Sequence, residues 1–272
     1  MISQASITKT AWRLGRKLYC WARKDVENRP EINGEYWLLE HVIQQIDNGD
    51  VFFDVGANIG DWSVHAISIF SRRGVTPFLH AFEPCAGTRS VLMDRLKGDN
   101  TVTVHAAAIS SEPGSAILYS SGAGLGTNSL SEVSGPSHEA VSVTTLDSFA
   151  KQHNIAKIVM IKVDVEGFDH SVLVGAGNLL ARGAIEVLQF EYNWRWLINR
   201  ASLRQVFEMI EQWPYRLGKL VPGGIQFFDK WHFELDRFFE GNYVLVRRGS
   251  RIESLGRRFE FDGSNVLILA KN

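Results

Sequence analysis

The sequence is short of several things, and each shortage excludes a class of protein. It holds only two cysteines in 272 residues, Cys20 and Cys85. That is too few for a disulfide framework, so a reducing, cytoplasmic setting is the expectation. Cys85 follows Pro84 and has no Cys or His at metal-ligand spacing. Excess charge of one sign is also missing: 29 basic and 30 acidic residues leave a net charge of −1. No global field draws the chain onto nucleic acid, and no basic stripe or aromatic stacking series is present, so a nucleic-acid partner is not expected. No apolar run approaches the length of a membrane span. The first residues lack the continuous apolar core of a secretory signal. Internal repeats and low-complexity tracts are absent.

What is present suits one soluble α/β domain. Hydrophobic residues make up 45% of the chain, enough to bury a sheet on both faces. Residues 1–49 read as a helical extension. Its first part mixes Arg13, Arg16, Lys17, Arg23 and Lys24 with Trp12, Leu14, Leu18, Tyr19 and Trp21. That spacing reads as an amphipathic helix packed on the domain, with a membrane-surface or partner-binding helix as the less favoured reading. The methyl-bearing stretch Val51–Val55 reads as a buried strand, as do Phe78–Phe82, Thr101–Ala107, Ile158–Val165 and Ile185–Phe190. Helical patterns separate them, and residues 110–140 read as a Ser/Gly-rich loop or hairpin excursion whose 120–135 part is a lid or an ordinary loop. Two late strands are expected near 216–228 and 242–247. Alternating strands and helices from residue 51 to about 213 imply a doubly wound, mostly parallel sheet. The expected division is an extension over 1–49, a domain over 50–250 and a tail over 251–272 that packs on or extends it.

The chemistry concentrates at strand ends. Asp54-Val55-Gly56-Ala57-Asn58-Ile59-Gly60 follows the first strand, where open α/β sheets bind ligands. Glycines there admit positive φ and close approach of the backbone. The spacing is G-x-x-x-G, neither the dinucleotide G-x-G-x-x-G nor a Walker loop with its lysine. Glu83 ends the second strand, where a carboxylate can accept hydrogen bonds from both hydroxyls of a ribose. Together they indicate a nucleoside-binding site.

These segments resemble the FkbM family of methyltransferases. The family's D-x-G-A-N-x-G stands as Asp54, Gly56, Ala57, Asn58 and Gly60, and its F-E-P as Phe82-Glu83-Pro84. T-L-D-S-F stands as Thr145 to Phe149, I-K-x-D-V-E-G as Ile161 to Gly167, and V-L-x-G-A as Val172 to Ala176. The likeness covers roughly residues 50–195. It implies a Rossmann-like α/β fold: a seven-stranded class I methyltransferase sheet, mostly parallel, with the last strand antiparallel and helices on both faces. It implies S-adenosylmethionine as cofactor, with Asp54, Gly56 and Gly60 beside the methionine part, Asn58 near its carboxylate, Glu83 on the ribose and the Ala107 loop near the adenine. It also implies methyl transfer to a hydroxyl, so the expected partner is a small-molecule or glycan acceptor: a saccharide, glycolipid or secondary metabolite.

A second cluster sits at the fourth and fifth strands. If the strand persists, Lys162, Asp164 and Glu166 share one face. Such charges must pair or line a pocket. Asp164 is therefore a candidate for both cofactor binding and catalysis, with Glu191 at the next strand end as its neighbour. Three readings stay open: a base or orienting group, a divalent metal site (magnesium) on Asp164 and Glu191, or a structural ion-pair network. His170, beginning the next helix, is a further acid/base candidate. Tyr192, Trp194 and Trp196 read as packing residues, or else as an aromatic wall for the acceptor. An NAD-dependent oxidoreductase and a non-catalytic nucleoside-binding protein are the rival functions.

Overall fold

The computed structural model describes residues 4–120 and 137–271, so the proposed lid residues from 121 to 135 lie outside the described residues. The chain opens with α1 (Gln4–Ala22) and α2 (Glu35–Ile43). Then come β1 (Val51–Val55), α3 (Asp61–Arg73), β2 (Phe78–Phe82), α4 (Ala86–Arg95) and β3 (Val102–His105). An excursion of β4 (Ala108–Ile109), β5 (Gly114–Ser120) and β6 (Ser137–Thr144) follows, then α5 (Leu146–Gln152) and β7 (Ile158–Val163). The second half holds α6 (Asp169–Val174), α7 (Gly177–Ala181), β8 (Ile185–Tyr192), α8 (Arg195–Ile198) and α9 (Leu203–Ile210). It ends with β9 (Tyr215–Val221), β10 (Gly224–Phe228), β11 (Gly241–Arg247), β12 (Gly256–Phe261) and β13 (Leu267–Leu269).

The main sheet has ten strands in the order β13-β12-β10-β9-β11-β8-β7-β1-β2-β3, which corrects the expected count of seven. The β3-β2-β1-β7-β8 half is parallel throughout. β11 inserts antiparallel between β8 and β9, and β10 and β12 also run against the parallel half, so the reversal is not confined to a last strand. The extra strands have a physical origin. Pro222-Gly223 folds 215–228 into a hairpin, β9 against β10, and the tail adds β12 and β13 beyond it. β12 reads poorly as a strand because it is half exposed and broken by charges, and β13 because it is only three residues long. The excursion makes a separate three-stranded sheet, β4-β6-β5.

Two apolar layers cover the main sheet, and the strand period of two sorts residues between them. In β1, Phe52 packs edge-on against Phe70 of α3, while its neighbour Phe53 packs against Phe82 and Phe149 on the other side. Met160, Val187 and Val244 join the Phe52 layer under α2 and α3. Ile161, Leu188 and Leu245 join the Phe53 layer under α5, α6 and α9. Each buried phenylalanine contributes about 1.5–3 kcal/mol.

The N-terminal helix departs from the expected packing. Residues 6–18 of α1 are exposed, and burial begins only at Tyr19 and Arg23. Tyr19 donates to Glu234 at 3.0 Å and sets its ring edge-on to Phe239, and Arg16 lies over the Phe239 ring. No helix among the described residues is long and apolar enough to cross a membrane.

Candidate active site

The turn after β1 is shaped by its two parallel neighbours. Gly56 takes φ +81°, and a Cβ there would lie 1.9 Å from the carbonyl oxygen of Asp164. Only glycine lets the chain pass so close to the end of β7. The amides of Gly56 and Ala57 donate to the Phe82 carbonyl at 3.0 and 2.9 Å, which locks the turn against β2. From the other side, Arg95 of α4 donates to the Ile59 carbonyl at 2.8 Å and to Asp61 at 2.7 Å.

Glu83 occupies the point where these strands meet. Its Oε2 accepts the Asn58 amide at 3.0 Å and its Oε1 the Cys85 amide at 2.8 Å. Each oxygen keeps a second lone pair. Burial pushes the carboxyl up to about 7, against the pull of those two amides and of Arg89.

Beyond Glu83 opens a pocket of about 780 Å³. Gly56, Asn58, Glu83 and Pro84 line it together with Asp164, Val165 and Glu166, whose turn abuts Gly56, and Ala107, Ala108, Ile109, Leu118, Phe82 and Phe168 give it apolar walls. The strand does not persist past Val163, so Asp164–Gly167 is a turn, with Glu166 at φ +55° and Gly167 at φ +97°. Asp164 and Glu166 therefore reach the pocket from a turn, while Lys162 stays inside the sheet. Burial, reinforced by Asp164, raises the Glu166 carboxyl to about 7, although Arg195 pairs with it at 3.2 Å.

Beneath the turn the sheet register aligns Asp54, Lys162 and Gln189 on three adjacent strands. Lys162 Nζ reaches Asp164 at 3.0 Å. Burial alone would lower the ammonium's pKa, but Asp164, Asp54 and Glu35 outweigh it and the pKa is raised. Asp54 is fully buried and accepts Ser63 Oγ at 2.6 Å, while its Oδ1 has no hydrogen-bond partner. Burial raises its pKa against Lys162 and Ser63. Glu35, also raised by burial, accepts Gln189 at 2.7 Å.

The sequence candidates thus divide. Gly56, Asn58, Glu83, Ala107 and Asp164 line the pocket. Asp54 lies below it as part of the Lys162 row, and Gly60 caps α3 at φ +88°. Glu191 stands one residue before the end of β8, buried, accepting Asn28 at 2.7 Å and Asn193 at 2.6 Å. Burial raises its pKa well above the ordinary range, helped by Asp164 and Asp169. His170 packs its ring edge against Trp196, and burial lowers its pKa. Trp196 is wholly buried, and half-exposed Trp194 carries the Arg195 guanidinium over its ring. Among the described residues, no group of three or more His, Cys, Asp or Glu is placed to hold a metal. The sequence reading named Glu166 only as one of three charges on a continuing strand, and did not single out Phe168 or Leu118. For Glu166 the signal was present in the Glu166-Gly167 pair, which favours a turn over a continuing strand.

Comparison with known proteins agrees with this geometry. The profile described as "Methyltransferase FkbM domain" matches residues 54–217. A hexuronic acid methyltransferase, AglP of Haloferax volcanii, is 27% identical over 151 residues, which span 55% of this chain and 59% of the relative. The match thus falls short of two thirds of that relative's length. An rRNA methylase from Streptococcus thermophilus aligns with a TM-score of 0.44 and 10% identity over 82% of this chain and 99% of its own. Fibrillarin from Aeropyrum pernix, solved with S-adenosylmethionine, aligns with a TM-score of 0.39 and 9% identity over 79% of this chain and 76% of its own.

Proposed function

Because the chain belongs to the FkbM methyltransferase family, we propose that it moves the methyl group of S-adenosylmethionine to a hydroxyl of a saccharide, glycolipid or secondary metabolite. The observation that carries the reading is the pocket between Glu83 and the Asp164–Glu166 turn. Its donor set suits this cofactor. Glu83 has two free lone pairs for a ribose diol, the apolar walls suit a purine, and the carboxylates of Asp164 and Glu166 suit a ligand that carries an ammonium and a sulfonium. Asn58 and Gly56 border the methionine end of that placement.

The bound cofactor supplies an electrophilic methyl group on a good leaving group. This chain's residues then position the acceptor oxygen in line and manage its proton. The oxygen–methyl bond forms as the sulfur–methyl bond breaks, and the hydroxyl proton passes to a carboxylate. Glu166 fits that role, since a base works best with a pKa near the working pH, and its own lies at about 7. Asp164, held by Lys162 at 3.0 Å, orients the acceptor. The saccharide class draws on the likeness to the hexuronic acid methyltransferase.

The test is calorimetric titration with S-adenosylmethionine and S-adenosylhomocysteine, followed by transfer of labelled methyl to a panel of uronic-acid saccharides, neutral saccharides and phenols. Saturable cofactor binding with label in the saccharides supports the reading. A folded protein that binds neither ligand overturns it, and label confined to phenols removes the saccharide class.

A further inference from the structure

The exposed helix α1 has an apolar stripe with nothing on it. Ile7, Ala11, Leu14, Leu18 and Trp21 follow one another at spacings of four, three, four and three, which places them on one face of a helix of 3.6 residues per turn. Four of the five are large side chains left open, with Leu14 58% and Trp21 80% exposed. The side that meets the body is a different one, through Arg16 on Phe239 and Tyr19 on Glu234. Solvent exposure of such a stripe is costly, at about 1.5–3 kcal/mol for each large residue that could be buried.

The charge on the helix selects the occupant. Lys9, Arg13, Arg16 and Lys17 lie within residues 4–22 and no Asp or Glu does, although the chain as a whole carries −1. Arg13 and Lys17 flank the stripe on one side, with stems long enough to lie along an apolar surface while the charges reach outward. A second copy of the helix would bring cations against cations with no carboxylate to meet them. An anionic lipid surface offers both halves of the complement, acyl chains for the stripe and phosphates for the flanking cations.

We propose that α1 is an interfacial helix that docks this protein on an anionic membrane surface, with Ile7, Ala11, Leu14, Leu18 and Trp21 in the lipid and Arg13 and Lys17 among the headgroups. The helix joins the body at the end of the sheet that bears the pocket. Its last turn is fixed to the 234–239 loop, and Asn28, soon after it, donates to Glu191 near the end of β8. Docking would therefore hold the pocket end of the molecule close to lipid. The docking itself does not depend on the methyl-transfer reading.

The experiment is co-sedimentation of the full chain with phosphatidylcholine vesicles, with and without phosphatidylglycerol, alongside tryptophan fluorescence and analytical ultracentrifugation. The expected result is preferential binding to the phosphatidylglycerol vesicles, by about fivefold for each engaged cation, weakened by salt and accompanied by a blue shift. The double variant Leu14→Glu/Leu18→Glu should lose on the order of a hundredfold in vesicle affinity. Both positions are exposed, so the variant should keep its far-ultraviolet spectrum and its affinity for S-adenosylmethionine. Equal vesicle binding by the variant, or no binding by the wild type, overturns the proposal. So does a dimer in the wild type that the variant abolishes, since the stripe then belongs to a second copy.

Discussion

At the scale of single residues, two carboxylates line the pocket, and burial raises the pKa of each into the same region. Glu83 is buried and held at about 7. Ribose hydroxyls that donate to it favour its charged form, so ligand affinity should rise as pH climbs through 7 and fall below it. Titrations across pH 5.5 to 8.5 (a range about 1.5 units either side of that value) check this. Glu83→Gln should flatten the profile, and Glu83→Ala should cost about 1–3 kcal/mol of binding. Unchanged affinity in the alanine variant would remove Glu83 from the site. Glu166 has a similar pKa and lines the same pocket from the turn after β7. As a base it acts in its charged form, so turnover under saturating donor should climb with pH through about 7. Glu166→Gln should lower kcat by about 10²–10⁴-fold and leave donor affinity within a few-fold. If the variant turns over normally, positioning alone carries the reaction.

At the scale of elements, the row Asp54–Lys162–Gln189 explains both what the sequence made legible and what it hid. Runs such as 51–55 and 185–190 announce themselves because both faces of those strands are covered, so every position is apolar or paired. The same coverage hides the role of Asp54. Its motif points to the ligand, but its side chain accepts from Ser63 and feels the charge of Lys162 on the next strand, and parallel register across a crossover is not written in local sequence. Likewise the turn at Glu166 looked like a continuing strand, because Lys162, Asp164 and Glu166 alternate as a strand would. β12 and β13 stayed unread for the opposite reason: β12 is broken by charges on an exposed face, and β13 has three residues, too few to show a period. The row itself makes a prediction. Lys162→Met leaves Asp54, Glu35 and Asp164 without their buried cation, and the uncompensated charge should cost about 3–5 kcal/mol of stability near pH 8. Carboxyls whose folded pKa is raised bind protons in the folded state before the unfolded one does, so stability falls as pH rises above the unfolded carboxylate range. The variant's deficit should therefore shrink toward pH 5 in urea melts. A deficit independent of pH would mean that the loss is one of packing.

At the scale of the whole molecule, the first 34 residues belong to two structures rather than one. Residues 6–18 are exposed, whereas Arg23 to Glu35 is woven into the sheet's pocket end. Asn28 donates to Glu191 and Glu240, Asn33 to Glu35, and Asn242 of β11 donates back to Asn28. Removing Asn28 and Asn33 would leave Glu191, Asn242 and Glu35 each short of a hydrogen-bond partner, at about 1–3 kcal/mol for each. Two truncations should consequently behave differently. Deleting residues 1–18 should leave the melting temperature and the affinity for S-adenosylmethionine essentially unchanged. Deleting residues 1–34 should lower the melting temperature by several degrees, at about 2–4 °C per kcal/mol for a chain of this size. It should also weaken turnover more than donor binding, because Glu83 and Asn58 are untouched while Glu191, whose charge is felt by the Asp164–Glu166 turn, loses Asn28. Equal melting temperatures for the two truncations would show that the 23–34 segment rests on the sheet without supporting it.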